Sequence, residues 1–244
     1  MGLSVKLLMG LASLLLASVA IAKTVMLEGK EAVIPQMTQE IRALHLRAVG
    51  ANRVFALQLP NALADLNLSA NDLMLLPNNF VPVTIKRVWL ADNQLRKLPT
   101  SVSQWEQLTY LNVDRNQLEA LPDLSKTALR WLRVNGNQLV ALPDLPDTIE
   151  RLYLADNKLT AFMKKPKALR HLTLANNPIE SIPDDLGCGL EELDLSGTQV
   201  KGLPPNLDGW RTLRVLNLAH CPLSEAEKDR LEAFFDPLKT LLIF

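Results

Sequence analysis

Between Leu63 and Leu223 apolar residues recur in the spacing L-x-x-L-x-L-x-x-N-x-L, and that spacing returns eight times in succession. The clearest copy is Ile85-Lys-Arg-Val88-Trp-Leu90-Ala-Asp-Asn93-Gln-Leu95, followed by Leu98-Pro99. The first apolar positions are Leu63, Ile85, Leu108, Leu129, Ile149, Leu169, Leu190 and Leu213, so consecutive copies lie 20 to 23 residues apart. Self-similarity at such a period identifies a solenoid before any single element is assigned. Inside each unit the x-L-x-L-x core alternates apolar and polar residues, as in Tyr110-Leu111-Asn112-Val113-Asp114, which predicts a short half-buried strand. One such strand cannot bury its apolar face alone. Stacked copies can, as a parallel sheet with a leucine core behind it.

The polar member of the pattern is a column of Asn71, Asn93, Asn116, Asn137, Asn157 and Asn177, continued by Thr198 and Cys221. An asparagine side chain carries both donors and an acceptor. At a sharp turn after the strand, such a column can satisfy buried backbone groups and tie each turn to its neighbour. We therefore read the column as structural.

These motifs resemble the leucine-rich repeat family, over about two thirds of the chain, from Leu63 to Leu223. The pairs Leu76-Pro77, Leu98-Pro99, Leu121-Pro122, Leu142-Pro143, Ile182-Pro183 and Leu203-Pro204 are similar to those of its short bacterial subtype. The resemblance implies an α/β chain wound as a right-handed solenoid, with a short-stranded parallel concave sheet and an extended or 3₁₀ convex side. Proline agrees with that convex side, because it fixes φ and removes a backbone donor. The fifth unit departs from the pattern, with Phe162-Met163 in place of Leu-Pro.

The flanking segments divide the rest of the chain. Residues 1–22 read as a secretory signal peptide: Lys6, then the apolar run Leu7–Leu16, then Ala20-Ile21-Ala22 as a small-x-small cleavage site. The expected mature protein begins at Lys23, is exported to a periplasm or secreted, and has no stable membrane insertion after signal cleavage. Residues 23–62 are expected to cap the first leucine layer, with strands at Thr24–Leu27 and Ala32–Ile34 across a Glu-Gly-Lys turn. A degenerate repeat, Ile41-x-x-Leu44-x-Leu46, follows, with Val49 in the asparagine place. Residues 63–223 hold the eight repeats. In residues 224–244, Ser224-Glu-Ala-Glu227 predicts a capping box. It opens a helix with Leu231, Phe234 and Phe235 on one face that ends before Pro237. The apolar tail Leu238–Phe244 should pack as an extra edge.

Composition narrows the function. Acidic and basic residues balance, 26 against 26, which argues against a nucleic-acid partner. The two cysteines, Cys188 and Cys221, fall at opposite ends of neighbouring strands. They are expected to be unpaired and largely buried.

Strand alternation sends two rows of side chains to the concave face. The row before the second leucine reads Asp65, Arg87, Tyr110, Trp131, Arg151, His171, Glu192, Val215. The row after it reads Asn67, Trp89, Asn112, Arg133, Tyr153, Thr173, Asp194, Asn217. Both tyrosines and two of the four tryptophans fall in these rows, whereas Trp105 and Trp210 occupy equivalent convex places and should be core. Arg87, Trp89, Tyr110, Trp131, Arg133, Arg151, Tyr153 and His171 therefore form the candidate partner-binding patch. Clustered arginine and aromatic residues are the usual composition of binding hot spots. The same side chains also stabilise a sheet by stacking across strands. We read the patch as binding a protein or peptide, with an acidic partner offering carboxylates to Arg87, Arg133 and Arg151.

Catalytic chemistry has few candidates. His171, Glu192 and Asp194 are the one group from which a metal site or acid–base pair can be drawn. An open sheet offers no water-excluding pocket, so the reading is non-enzymatic and without cofactor or metal. The oligomeric state is left open by the sequence, with a monomer expected. The competing readings are an exported protein that binds a carbohydrate or a metal, and a structural or assembly protein acting through its apolar tail.

Overall fold

The computed structural model describes residues 23–162 and 164–244. The signal-peptide reading of residues 1–22 and the residue Met163 lie outside them. The described chain is a parallel-sheet solenoid. Its eleven strands lie in one sheet in strict chain order. They are β1 (Lys23–Glu28), β2 (Ile41–Arg47), β3 (Asp65–Asn67), β4 (Arg87–Trp89), β5 (Tyr110–Asn112), β6 (Trp131–Arg133), β7 (Arg151–Tyr153), β8 (His171–Thr173), β9 (Glu192–Asp194), β10 (Val215–Asn217) and β11 (Leu241–Ile243). Helices are few: α1 (Ala51–Phe55) at one end and α2 (Glu225–Phe234) at the other. The convex side is turns and extended chain with 3₁₀ turns at Thr100–Gln104 and Asp208–Trp210. About twenty residues per coil, less strand and inward turn, leave no length for a full helix.

Every unit's first apolar residue, from Leu63 to Leu213, is buried, as are the leucine and valine positions on the inner face of each strand. Trp105 and Trp210 fill the convex side of this core, 1% and 0% exposed. Each such large side chain contributes roughly 1.5–3 kcal/mol by leaving water. The energy is spread along the stack, so coils stabilise their immediate neighbours.

The asparagine column forms the predicted ladder. Asn93 Oδ1 accepts from the amides of Asn71 and Leu73 in the preceding turn, both at 3.0 Å. Its Nδ2 donates to the carbonyls of Leu68 and Leu90 at 3.0 and 2.9 Å. Asn116, Asn137, Asn157 and Asn177 repeat the donation to two turns, each accepting from one amide of the preceding turn. In the degenerate unit Val49 has no side-chain oxygen to offer, yet its own amide is satisfied by Asn71 Oδ1 at 2.8 Å. The residue before each column position is left-handed in every unit: Ala48, Ala70, Asp92, Arg115, Gly136, Asp156, Asn176, Gly197 and His220, with φ from 52° to 67°. This bend turns the chain inward. At Ala48, Ala70 and Arg115 it works against side-chain sterics by roughly 1–2 kcal/mol each.

The ends differ in part from the sequence reading. Only the first of the two expected N-terminal strands forms, and it runs parallel to β2 rather than across a hairpin. Gly29, at φ 92°, donates to Arg47 O at 2.9 Å and closes the ladder, and residues 32–38 carry no strand. The parallel arrangement lets Val25 and Leu27 cover the first leucine layer in the same register as the repeats. At the other end Ser224 caps α2 by accepting from Glu227 N at 3.2 Å. The return half of the capping box is absent: Glu227 accepts from Leu203 N at 2.8 Å and pairs with Arg230 instead. Its carboxylate ties the helix to the last coil, and those contacts, Arg230 foremost, hold its pKa below the ordinary value. Leu231 and Phe235 are buried, and the tail adds β11 to the sheet beside β10. Cys188 and Cys221 are unpaired and only partly buried. The Cys221 thiol donates to Leu195 O at 3.1 Å, standing in for an asparagine amide at the end of the column.

Candidate functional site

The strand register aligns the two concave rows. Asp65, Arg87, Tyr110, Trp131, Arg151, His171, Glu192 and Val215 are successive cross-strand partners, as are Asn67, Trp89, Asn112, Arg133, Tyr153, Thr173, Asp194 and Asn217. Neighbours within a row are therefore spaced at the roughly 4.8 Å of hydrogen-bonded strands, close enough for rings to touch.

The structure brings the aromatic members together. Trp89 and Tyr110 have ring centroids 5.0 Å apart, and Tyr110 and Trp131 5.7 Å apart. Arg151 lies over Trp131 and Arg133 over Tyr153, each 5.0 Å from ring centroid to guanidinium carbon, and Arg87 flanks Trp89 at 6.0 Å. Trp131, Arg133, Arg151 and Tyr153 thus form a square on β6 and β7 in which each cation faces a ring on the adjacent strand. Trp131 keeps 38% of its surface exposed, in contrast to the two fully buried convex tryptophans.

The three arginines are not equivalent in the carboxylates they already meet within the fold. Arg87 is held in a bidentate pair by Asp65, Nε to Oδ1 at 2.7 Å and Nη2 to Oδ2 at 2.6 Å. That pairing raises the Arg87 pKa. Arg133 Nε donates to Asp114 Oδ2 at 2.8 Å, while the other oxygen of this 2%-exposed carboxylate accepts from Asn135 N at 2.8 Å. Among the described residues Arg151 makes no ion pair and no side-chain hydrogen bond; its contact is the Trp131 ring. His171 stands apart from the aromatic run. Its Nδ1 lies 3.0 Å from Glu192 Oε2, but the two are not aligned for a hydrogen bond.

Two contributors escaped the sequence reading, and a third, Asp65, stands in the concave row but has a role that alternation alone does not show. His45, from the degenerate repeat, stacks on Trp89 at 5.8 Å and extends the ring run to four. Burial pushes its pKa below the ordinary value, with Arg87 adding to the effect and Asp65 opposing it. Its position between Leu44 and Leu46 carries the same spacing as Trp89 between Val88 and Leu90, and that signal would have found it. The second is Asp114, whose carboxylate holds Arg133 as that of Asp65 holds Arg87.

Beyond His171 the face sinks into an open depression of about 310 Å³ lined by Tyr153, His171, Thr173, Glu192, Asp194 and Ile243. A larger hollow of about 430 Å³ lies on the convex side, lined among others by Val140, Leu142, Pro143, Phe162, Lys164 and Pro166. It marks the unit that lacks Leu-Pro, where buried Phe162 takes the leucine's place. Its charged rim is spent in the solvent-exposed pair of Lys164 and Asp144. Among the described residues no three His, Cys, Asp or Glu side chains converge to hold a metal ion, and no helix is long and apolar enough to cross a membrane.

Comparison with known proteins places this architecture. The family model described as Leucine Rich Repeat matches residues 168–188. Podocan-like protein 1 of Mus musculus is 30% identical over 190 residues, covering 72% of this chain and 30% of that protein. Across the sequence relatives the chain spans only 7% to 44% of their length. Among solved structures, YopM, a leucine-rich effector protein from Yersinia pestis, superposes with a TM-score of 0.63 at 26% identity, over 77% of this chain and 51% of that one. A Shigella effector LRR domain gives 0.61 at 25% identity, over 72% and 79%. Such repeats serve generally as non-enzymatic scaffolds for protein–protein interaction. The eight-fold spacing, the asparagine ladder, the parallel sheet and these matches agree that the chain is a leucine-rich repeat protein.

Proposed function

We propose that the protein is an exported, non-enzymatic binding module. Its concave face holds a protein or peptide partner through Arg87, Trp89, Tyr110, Trp131, Arg133, Arg151, Tyr153 and His171. The observation that carries this reading is the continuous run Trp89–Tyr110–Trp131, displayed on an open sheet instead of being folded into the core. Ring stacking alone stabilises such a sheet by at most about 1 kcal/mol per pair. Leaving an indole 38% in water forgoes the larger gain of burial. A partner that covers the ledge recovers it, which is what exposed aromatic patches rimmed by charge commonly do. Export rests on the pattern of residues 1–22.

The test is a pull-down from extracts with protein beginning at Lys23, beside the Trp131→Ala/Tyr153→Ala variant. The expected result is a partner held by the wild type and lost by a variant that still melts cooperatively. Retention by both would move the site off the concave face. A second reading, assembly through the C-terminal edge, is favoured by Leu238 and Leu241, 93% and 59% exposed. It predicts oligomers in sedimentation velocity that survive the same double substitution.

A further inference from the structure

We propose that Arg151 is the carboxylate-recognition residue of the concave face, and that the partner presents one Asp or Glu side chain there beside an apolar residue. The inference rests on the concave-face reading and narrows it to a ligand chemistry. It follows from how the patch spends its positive charge. Arg87 and Arg133 each have a carboxylate of their own, Asp65 and Asp114, so their charge is already matched within the fold. Arg151 has none among the described residues. It is held by the Trp131 ring beneath it, a contact that consumes no N–H donor. All five guanidinium donors remain available in a fixed plane, the geometry that suits a bidentate carboxylate.

Its surroundings select the ligand's charge and shape. Asp65 and Asp114 are matched by Arg87 and Arg133, whereas Glu192 and Asp194 lie two strands beyond Arg151. One unpaired cation with carboxylates on that side suits a single negative charge and disfavours a doubly charged phosphate. The stacked rings of Trp131 on the adjacent strand and Tyr110 one strand further form an apolar ledge for the ligand's neighbouring side chain. The depression beyond His171 has an acidic rim and gives the bound segment a polarity: its carboxylate on Arg151, with any cationic side chain toward Glu192.

The probe is a pair of N-acetylated heptapeptide amide pools in which Leu or Phe surrounds a central Glu or, in the control, a central Gln. Retention on immobilised protein is read by mass spectrometry. Wild type should favour the Glu pool by roughly tenfold or more, the scale of a charge-assisted hydrogen-bonded pair. Arg151→Gln should bring the ratio to about one, and Arg151→Lys should recover only part of it, since an ammonium cannot bind in the planar bidentate mode. Arg96→Gln, at an exposed position after the inward turn and off the sheet, should keep the preference. A Glu preference that survives both Arg151 substitutions, or is lost equally in Arg96→Gln, overturns the assignment. If Trp131→Ala abolishes that surviving preference, the concave-face reading stands without Arg151. Equal or absent retention of both pools by wild type overturns the proposal. If binding of the Glu pool is also insensitive to Trp131→Ala, the concave-face reading falls with it.

Discussion

Replacing Asn93 by Ala should be among the most damaging single changes that remove so few atoms. Its side-chain oxygen is the acceptor for two buried amides, those of Asn71 and Leu73, and its nitrogen donates to Leu68 O and Leu90 O. Alanine leaves both amides orphaned inside the solenoid, and each such orphan costs about 1–3 kcal/mol. The expected loss is therefore about 4 kcal/mol, a large share of the roughly 5–15 kcal/mol by which domains are stable. Thr198→Ala, at the matching place near the C-terminal end, is the control. Its hydroxyl donates to Leu195 O at 2.7 Å, but that carbonyl also accepts from Thr198 N and the Cys221 thiol, both at 3.1 Å. No group is orphaned by its removal, and the expected cost is about 1 kcal/mol. Urea unfolding followed by circular dichroism reads the difference. With a slope near 3 kcal/mol/M, Asn93→Ala should lower the midpoint by about 1.3 M and Thr198→Ala by about 0.3 M. Equal shifts, or a larger one for Thr198→Ala, would refute the claim that the column acts by satisfying buried backbone.

The other predictions concern the core, the glycines and pH. Trp210 Nε1 donates to Asp184 O at 3.1 Å, while Trp105 Nε1 is buried without a partner among the described residues. Trp210→Phe should therefore cost about 1 kcal/mol more than Trp105→Phe in the same unfolding assay. Gly187→Ala should lower the melting temperature by several degrees, because a Cβ there would overlap the buried Trp210 indole. Burial keeps the His45 pKa below its ordinary 6.5. The unfolded chain therefore takes up the proton first, and stability is full above 6.5 and falls as pH drops toward the folded value. Denaturation at about pH 7.5 and pH 5 should show this loss in wild type and less of it in His45→Gln. The Glu227 carboxylate, with its lowered pKa, adds a separate loss only below its ordinary 4.5.

How much was legible follows from which features are periodic. The 20–23-residue spacing and the inward leucines are repeated eight-fold and the column asparagine six-fold, and each recurs in the structure. The two concave rows follow from strict alternation, so Trp89, Tyr110, Trp131 and Tyr153 could be placed from sequence. The left-handed positions are legible only in part: Gly136, Gly197, Asp92, Asp156, Asn176 and His220 are residue types that favour φ > 0, whereas Ala48, Ala70 and Arg115 are not, and the ladder around them imposes the bend. The Arg133–Asp114 pair was hidden for a similar reason. Asp114 stands just beyond its strand, at a place occupied elsewhere by Ser69, Ala91 and Asn135, and the turn alone aims its side chain. At the N-terminus Glu-Gly-Lys carried a hairpin signal, but parallel pairing that continues the leucine layer prevailed.

The concave face as the binding surface is tested most directly by site-specific photo-crosslinking in the native host. One probe replaces Thr173, on the concave row beside Tyr153; the other replaces exposed Glu119, which lies after the inward turn and off the sheet. The account predicts one discrete adduct from position 173, lost when Trp131→Ala is added, and none from position 119. An adduct from position 119 alone, or one at 173 that is indifferent to Trp131, would contradict it.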